Sequence, residues 1–115
     1  MKDLAPDIYR QRLVMEFILN NKIESHKLVE YSEKLTEKLG MTLVSSPILT
    51  YAPDYGWSVY VHWKESGMHI YTWDKRDPVF ISVDLYTCKK FEINDALNYT
   101  KDFFINNLVE LVWKE

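Results

Sequence analysis

The sequence predicts an α+β fold in which two helices cover one face of a mostly antiparallel sheet. Apolar runs of strand length and two helical patterns follow one another in the order β-α-β-β-β-β-α-β, which is typical of a two-layer sandwich. A chain of 115 residues is long enough for one hydrophobic core, so we expect a single domain over residues 1–115. Aromatic residues make up 15% of the chain, and so many rings predict a ligand site or a subunit interface in addition to the core.

Local signals set the bounds of the first strand and the first helix. The apolar run at 12–19 has strand length and ends at two asparagines. Ser25 is expected to cap a helix that runs to about Leu39, and Gly40 is expected to close it. Apolar residues at helical spacing predict the inner face of this helix: Leu28, Leu35 and Leu39.

Five strands and a second helix are expected in the rest of the chain. Pro47 cannot donate a ladder hydrogen bond, so a strand over 41–51 is predicted to lie at a sheet edge or to carry a bulge. The second helix is expected to begin at Asn94 or Asp95, with Leu97, Thr100 and Phe104 on one stripe. The other expected segments are a turn at 52–56, strands at 57–64 and 68–73 joined through 65–67, a polar loop at 74–78, and strands at 79–88 and 108–113.

Several of these strands are apolar on both sides. In the strand at 57–64, the tryptophans and valines alternate with Tyr60 and His62. Such strands need cover on both faces of the sheet, whereas two helices cover only one. We therefore expect the other face to be either a ligand site or a subunit interface.

Composition argues against several classes of function. Fourteen basic against 17 acidic residues give a net charge of -3 with no basic stripe, which disfavours nucleic-acid binding. No apolar run approaches the roughly 20 residues of a membrane span, and the single cysteine, Cys88, fits a reducing compartment, so we expect a soluble cytoplasmic protein. No metal site is expected, because the spacing of His26, His62 and His69 with Cys88 matches no known ligand set.

Short motifs in a fixed order carry the functional signal. Ser58 lies eight residues before Ser66, which follows Glu65; Thr72-Trp73 comes next, and Asp84-Leu85-Tyr86-Thr87-Cys88 ends the strand after it. Upstream stand LVMEF at 13–17 and YAPDYG at 51–56. Taken by itself, Glu65-Ser66-Gly67 is an ordinary hairpin turn. In this order and spacing, over about 12–104, the chain resembles the prokaryotic S-adenosylmethionine decarboxylase proenzymes.

The resemblance implies a self-made cofactor. In this family the serine attacks the preceding carbonyl and the chain is cut, here between Glu65 and Ser66, so that Ser66 becomes a pyruvoyl group. The resemblance gives Ser58 a part in this processing and makes Cys88 the proton donor in decarboxylation. The alternatives are an ordinary strand serine and a buried cysteine. The implied assembly is a homodimer, a four-layer sandwich in which two sheets pack face to face.

Two departures from the family affect the processing step. Gly67 stands where the family has a histidine after the cleavage serine, and Tyr71 stands where the family has a histidine that transfers protons. A tyrosine is a poor base at neutral pH. His69 precedes Tyr71 by two residues, so both side chains are expected on one face of the strand, about 7 Å apart. Either His69 or Tyr71 is the candidate for the missing proton transfer, unless His69 is merely a surface histidine.

A third departure concerns the substrate. Glu16, Phe17, Tyr51 and Asp74 are the candidate substrate-binding residues, with the two rings as stacking groups unless they serve core packing. The loop after Trp73 is about two residues longer than in the family, and Asp74 replaces a family glutamate from one position earlier. Three functions stay open: an S-adenosylmethionine decarboxylase of polyamine (spermidine) biosynthesis, a pyruvoyl-dependent decarboxylase of ornithine or arginine, and an uncleaved paralogue that binds a small ligand or an active partner.

Overall fold

A computed structural model describes residues 1–115 and confirms the predicted α+β sandwich, with one six-stranded sheet and two helices. Neither helix has the length and apolar character needed to cross a membrane. In chain order the elements are β1 (Gln11–Leu19), α1 (Ser25–Lys38), β2 (Ile48–Ala52), β3 (Gly56–Trp63), β4 (Ser66–Trp73), β5 (Val79–Thr87), α2 (Ile93–Phe103) and β6 (Leu108–Lys114).

The sheet is antiparallel throughout, with the spatial order β2-β3-β4-β5-β1-β6. The three hairpin-connected strands β3, β4 and β5 lie side by side, and β1 is inserted between β5 and β6. β2 and β6 form the two edges. The position of β2 agrees with the prediction from Pro47, which directly precedes this strand.

One face of the sheet and the inner sides of both helices form the core. Alternate residues of β1, β3, β4 and β5 are buried there, among 22 buried apolar residues in one cluster. The predicted helix faces are confirmed, since the three leucines of α1 and the Leu97, Thr100 and Phe104 stripe of α2 are all buried. The Trp63 indole N–H donates to Thr36 Oγ1 at 2.9 Å, which joins β3 to α1 inside the core.

The helix ends agree only partly with the expectations. Gly40 closes α1 with a φ of +70°, as predicted. The prediction that Ser25 caps this helix is wrong, because the Glu24 carbonyl already accepts the Leu28 N–H at 3.1 Å and Ser25 is the first helical residue. α2 likewise begins at Ile93, one residue before the earliest predicted start.

The strand predicted over 41–51 is shorter in the structure. Only Ile48–Ala52 pairs with β3 as a strand. The residues before Pro47 instead lie along the other end of β3, where Leu43 forms an isolated bridge with Trp63 and the Val44 N–H donates to the His62 carbonyl at 3.0 Å. This end of β3 leads directly into the β3–β4 hairpin, so the segment after Gly40 reaches the hairpin tip.

The second face of the sheet carries the remaining alternate residues and no helix. We call it the open face. Tyr60, Tyr71 and Tyr86 are exposed there, whereas His69 and Ser82 are half-buried. The structure thus leaves uncovered the aromatic surface that the two-sided strands predicted.

Candidate active site

The tip of the β3–β4 hairpin brings together four residues from three parts of the chain: Thr42, Glu65, Ser66 and Cys88. We call them the tip cluster. Cys88 follows β5, and its backbone N–H donates to the Glu65 carbonyl at 2.8 Å. That carbonyl belongs to the Glu65–Ser66 peptide bond, so a hydrogen-bond donor is already bound to the oxygen of the predicted cleavage site.

Ser66 has a strained backbone. Its φ is 136°, in the region that favours glycine, and it is the only residue other than glycine with a positive φ in the chain. Such a conformation costs on the order of 1–3 kcal/mol and persists only where neighbouring contacts hold it. Strain therefore lies at the residue that the motifs selected for cleavage.

Gly67 has no room for a side chain. A Cβ atom added there would lie 2.6 Å from the backbone carbonyl oxygen of Val61 on the facing strand. Real Cβ atoms do not approach backbone this closely, so β3 and β4 can keep this register only with glycine at 67. The absence of the family histidine at this position thus has a steric reason in the hairpin itself.

The Glu65 side chain is also held. Its two carboxylate oxygens accept the Thr42 N–H at 2.9 Å and the Thr42 hydroxyl at 3.1 Å. The hydrogen bond from the Thr42 N–H is the main reason that the pKa of the Glu65 carboxyl lies below its usual value. Glu65 is therefore fixed through both its carboxylate and its carbonyl oxygen.

An open groove of about 410 Å³ runs from the tip cluster onto the open face, and we call it the tip groove. Within it, Arg12 donates two hydrogen bonds to Asp84, from Nε to Oδ1 at 3.0 Å and from Nη2 to Oδ2 at 2.6 Å. The lining residues are Arg12, Tyr60, His62, Ser66, Gly67, Met68, His69, Asp84 and Tyr86.

His69 lines the tip groove together with Ser66. Its ring stacks on Tyr71 with the centroids 4.1 Å apart and meets the edge of Tyr60 at 5.7 Å. Partial burial lowers the pKa of the His69 imidazole from its ordinary value, and the opposing influence of Asp84 is smaller. This shift favours the neutral imidazole, which is the form that accepts a proton.

A second set of polar side chains crosses the middle of the open face. Ser58, Tyr71, Ser82 and Glu16 are register neighbours on β3, β4, β5 and β1, and we call them the mid-sheet row. The Ser82 hydroxyl donates to Glu16 Oε2 at 3.0 Å. The predicted side-by-side placement of His69 and Tyr71 is confirmed by their stacked rings.

The two sets do not meet within one chain. Ser66 and Tyr71 are five residues apart on the same strand, which corresponds to about 17 Å. Ser58 pairs with Tyr71 and is therefore equally remote from Ser66. The structure brings Glu65, Ser66 and Cys88 together as the motifs suggested, but it keeps the processing candidates Ser58 and Tyr71 away from them.

The candidate substrate residues are scattered. Glu16 is half-buried on the open face, and Tyr51 is exposed at the β2 edge, where its ring contacts Trp57. Phe17 is buried in the core against Phe104, with the ring centroids 5.0 Å apart. Asp74 is buried beside Gly56; its Oδ2 accepts the Trp57 N–H at 3.4 Å, and its Oδ1 has no partner.

Several residues at this site were not predicted as functional. His62 lies opposite Gly67 in the β3–β4 ladder. The short turn predicted between these two strands already implied that His62 lies near the hairpin tip. Arg12 and Thr42 reach the site from β1 and from the segment after α1, and no local pattern indicates this. No three His, Cys, Asp or Glu side chains lie close enough to hold a metal ion.

The fold and the site together define an α+β sandwich with a Glu-Ser sequence at a hairpin tip, in which the serine has a strained φ. The family model described as S-adenosylmethionine decarboxylase matches residues 14–112, which is most of the chain. The chain therefore belongs to the S-adenosylmethionine decarboxylase family, and the resemblance seen in its short motifs is confirmed. No curated protein matches it.

Proposed function

We propose that the chain is the proenzyme of a pyruvoyl-dependent, S-adenosylmethionine decarboxylase-like enzyme that cuts itself between Glu65 and Ser66. Its place would be polyamine (spermidine) biosynthesis in the cytoplasm. One observation carries the proposal: the strained Ser66 follows a carbonyl that already accepts the Cys88 N–H. A nucleophile and an oxyanion donor thus flank the same peptide bond, as an acyl shift requires.

The first step exchanges an amide for an ester. The Ser66 hydroxyl oxygen attacks the Glu65 carbonyl carbon, the carbon–nitrogen bond breaks, and the hydroxyl proton passes to the freed Ser66 nitrogen. The Cys88 N–H stabilises the negative charge that develops on the Glu65 oxygen. The shift also relieves the strained φ of Ser66, because the amide bond that fixes this angle is broken.

The second step opens the ester by elimination. A base removes the Cα proton of Ser66, a Cα–Cβ double bond forms, and the bond from Cβ to the ester oxygen breaks, which leaves Glu65 as a new carboxyl terminus. Addition of water and loss of ammonia then convert the dehydroalanine into a pyruvoyl group. When present, that group supplies a carbonyl that binds a substrate amine and accepts the electrons left by carbon dioxide.

We assign the removal of this proton to His69 of a second copy, because in its own chain His69 lies three residues from Ser66 along β4, about 10 Å. Burial lowers the pKa of its imidazole, which favours the neutral form that accepts a proton. Tyr71 holds the ring by stacking on it. In decarboxylation, we propose that the exposed Cys88 thiol donates a proton to the carbon that loses carbon dioxide.

The distance between the tip cluster and the mid-sheet row supports a homodimer. If two open faces pack around a two-fold axis, a residue in the middle of one sheet can reach the tip of the other. Exposed rings on this face, such as Tyr60 and Tyr86, provide an apolar surface for the contact. We propose that Ser58 and Tyr71 assist cleavage of Ser66 in a second copy.

Mixed dimers test this arrangement. A Ser58→Ala chain that retains Ser66 is co-expressed with a tagged Ser66→Ala chain that retains Ser58. Cleavage of the first chain in the mixture, together with slow cleavage when it is expressed alone, supports action between copies. Equally slow cleavage in both cases, or a monomer in sedimentation, contradicts it.

The burial of Asp74 favours a second candidate substrate. The aspartate that was expected near the substrate is turned against Gly56 and the Trp57 backbone. The same cofactor would then act on a basic amino acid such as ornithine or arginine. Release of carbon dioxide from each of the three compounds by the cleaved protein decides between them.

Denaturing mass spectrometry tests the proposal as a whole. After incubation, the wild-type chain is expected to give fragments of 65 and 50 residues, the smaller one beginning with a pyruvoyl group. Ser66→Ala stays intact under the same conditions. A wild-type chain that also stays intact, without a carbonyl that reacts with amines, contradicts self-cleavage. The chain would then be an uncleaved paralogue.

A further inference from the structure

Thr42 is the one residue of the tip cluster that neither the motifs nor the chemistry above explains. It follows the turn at Gly40, well before the hairpin in sequence, yet it makes three hydrogen bonds to the tip. Its N–H and its hydroxyl donate to the two oxygens of the Glu65 carboxylate at 2.9 and 3.1 Å. Its carbonyl accepts the Lys64 N–H at 2.8 Å.

These contacts act on both residues of the turn that precedes Ser66. Lys64 is held through its backbone and Glu65 through its side chain, while the Cys88 N–H holds the Glu65 carbonyl from the β5 side. The next residues of the same segment continue the attachment, since Leu43 bridges Trp63. The hairpin tip is therefore clamped between the segment after α1 and the end of β5.

A clamp of this kind has a chemical use at a bond that must be attacked by its own neighbour. The Ser66 hydroxyl reacts with the Glu65 carbonyl only in a narrow range of orientations, and a free two-residue turn samples many others. Fixing the carboxylate and the carbonyl of Glu65 leaves its peptide plane little freedom to rotate. The same contacts keep Ser66 in its strained conformation, which needs such support to persist.

We propose that Thr42 is a positioning residue for self-cleavage, which holds Glu65 so that its carbonyl stays aligned for attack by Ser66. This inference rests on the proposed function. The clamp also holds the 65-residue fragment at its new end after the cut, because none of the three hydrogen bonds of Thr42 involves the bond that breaks.

The test compares cleavage rates of three variants at position 42 and nearby. Thr42→Val keeps the shape and loses the hydroxyl, Thr42→Ser keeps the hydroxyl, and Ser45→Ala is the control, an exposed change in the same segment whose side chain makes no hydrogen bond. Loss of a hydrogen bond to a charged group predicts cleavage about tenfold slower in Thr42→Val. Wild-type rates are expected for Thr42→Ser and Ser45→Ala, with unchanged melting temperatures.

Hydroxylamine, which cuts esters, identifies the step. If Thr42 aligns the carbonyl, Thr42→Val accumulates less ester than wild type, as well as less final product. A normal cleavage rate in Thr42→Val, no recovery in Thr42→Ser, or accumulation of ester in Thr42→Val overturns the inference while self-cleavage stands.

If Thr42→Val fails to fold, Glu65→Gln replaces it, with Glu33→Gln as the control. An unchanged cleavage rate in Glu65→Gln then overturns the inference. A wild-type chain that never cleaves overturns both proposals.

Discussion

The tip cluster and the mid-sheet row are built in opposite ways. At the tip, the reactive feature is the backbone: a strained φ at Ser66 and a peptide carbonyl bound by the Cys88 N–H. In the mid-sheet row, the backbone is regular and the polar side chains of adjacent strands interact, as in the hydrogen bond from Ser82 to Glu16. Under the proposed function, the bond to be cut and the groups proposed to move protons are therefore not neighbours in one chain.

The largest expected effect is at the tip. Ser66→Ala and Ser66→Gly both remove the nucleophile, so neither chain is cleaved, as intact mass shows. They differ in stability, because glycine adopts the φ of 136° without strain. The free energy of unfolding of Ser66→Gly, measured by denaturant titration, should exceed that of Ser66→Ala by about 1–2 kcal/mol. Equal stabilities of the two variants contradict strain at this residue.

Changes in the mid-sheet row should affect the rate and not the fold. Ser58→Ala and Tyr71→Phe are expected to slow cleavage about 100-fold, the usual size of a lost proton-transfer or hydrogen-bonding group. Their melting temperatures should stay close to that of wild type. Ser46→Ala, at an exposed position before β2, is the matched control. Cleavage at the wild-type rate in both Ser58→Ala and Tyr71→Phe would show that cleavage does not depend on the mid-sheet row.

A smaller effect is expected where the tip depends on glycine. Gly67→Ala places a Cβ 2.6 Å from the Val61 carbonyl oxygen, so the hairpin must shift, at a cost of about 1–3 kcal/mol in the free energy of unfolding. Gly40→Ala is the control: its new Cβ meets nothing closer than 3.8 Å, and only its φ of +70° is unfavourable. Urea titration of both variants measures the difference. A Gly67→Ala chain as stable as wild type contradicts the close approach.

The smallest effect concerns pH. The folded chain binds a proton at His69 less tightly than the unfolded chain, because burial lowers the pKa of its imidazole. The unfolded state therefore takes up more protons as the pH falls from about 6.5, and folding stability decreases in that range. His69→Gln should show a smaller loss of stability than wild type between pH 7.5 and 5.5. Identical pH profiles for His69→Gln and wild type rule out this contribution.

The parts of the fold that follow from local pattern were predicted from the sequence. The order of elements, the buried stripes of both helices and the edge position of β2 depend on periodicity and on Pro47, which act locally. The segment after Gly40 was predicted as strand because it is apolar. Its true path along the hairpin depends on contacts with Trp63 and His62 that only the tertiary fold creates.

The candidate site residues also divide into those that local sequence patterns predicted and those that depend on the tertiary fold. Glu65, Ser66 and Cys88 were proposed from the family resemblance of their motifs, and the structure places them close together. Glu16 and Phe17 are consecutive residues of β1 and must face opposite sides of the sheet, so the period of two already argued against a shared site for both. Phe17 is in fact in the core. The burial of Asp74 and the contacts of Thr42 depend on residues distant in sequence, and no local pattern announces them.

The strand order decides the fate of the two halves after a cut at the tip. The first fragment would contribute β1, β2 and β3 and the second β4, β5 and β6, yet β1 sits between β5 and β6. Three of the five strand junctions, β3–β4, β5–β1 and β1–β6, would then join different polypeptides. Strands of the two fragments alternate in the sheet, so a cleaved molecule should stay assembled until it is denatured.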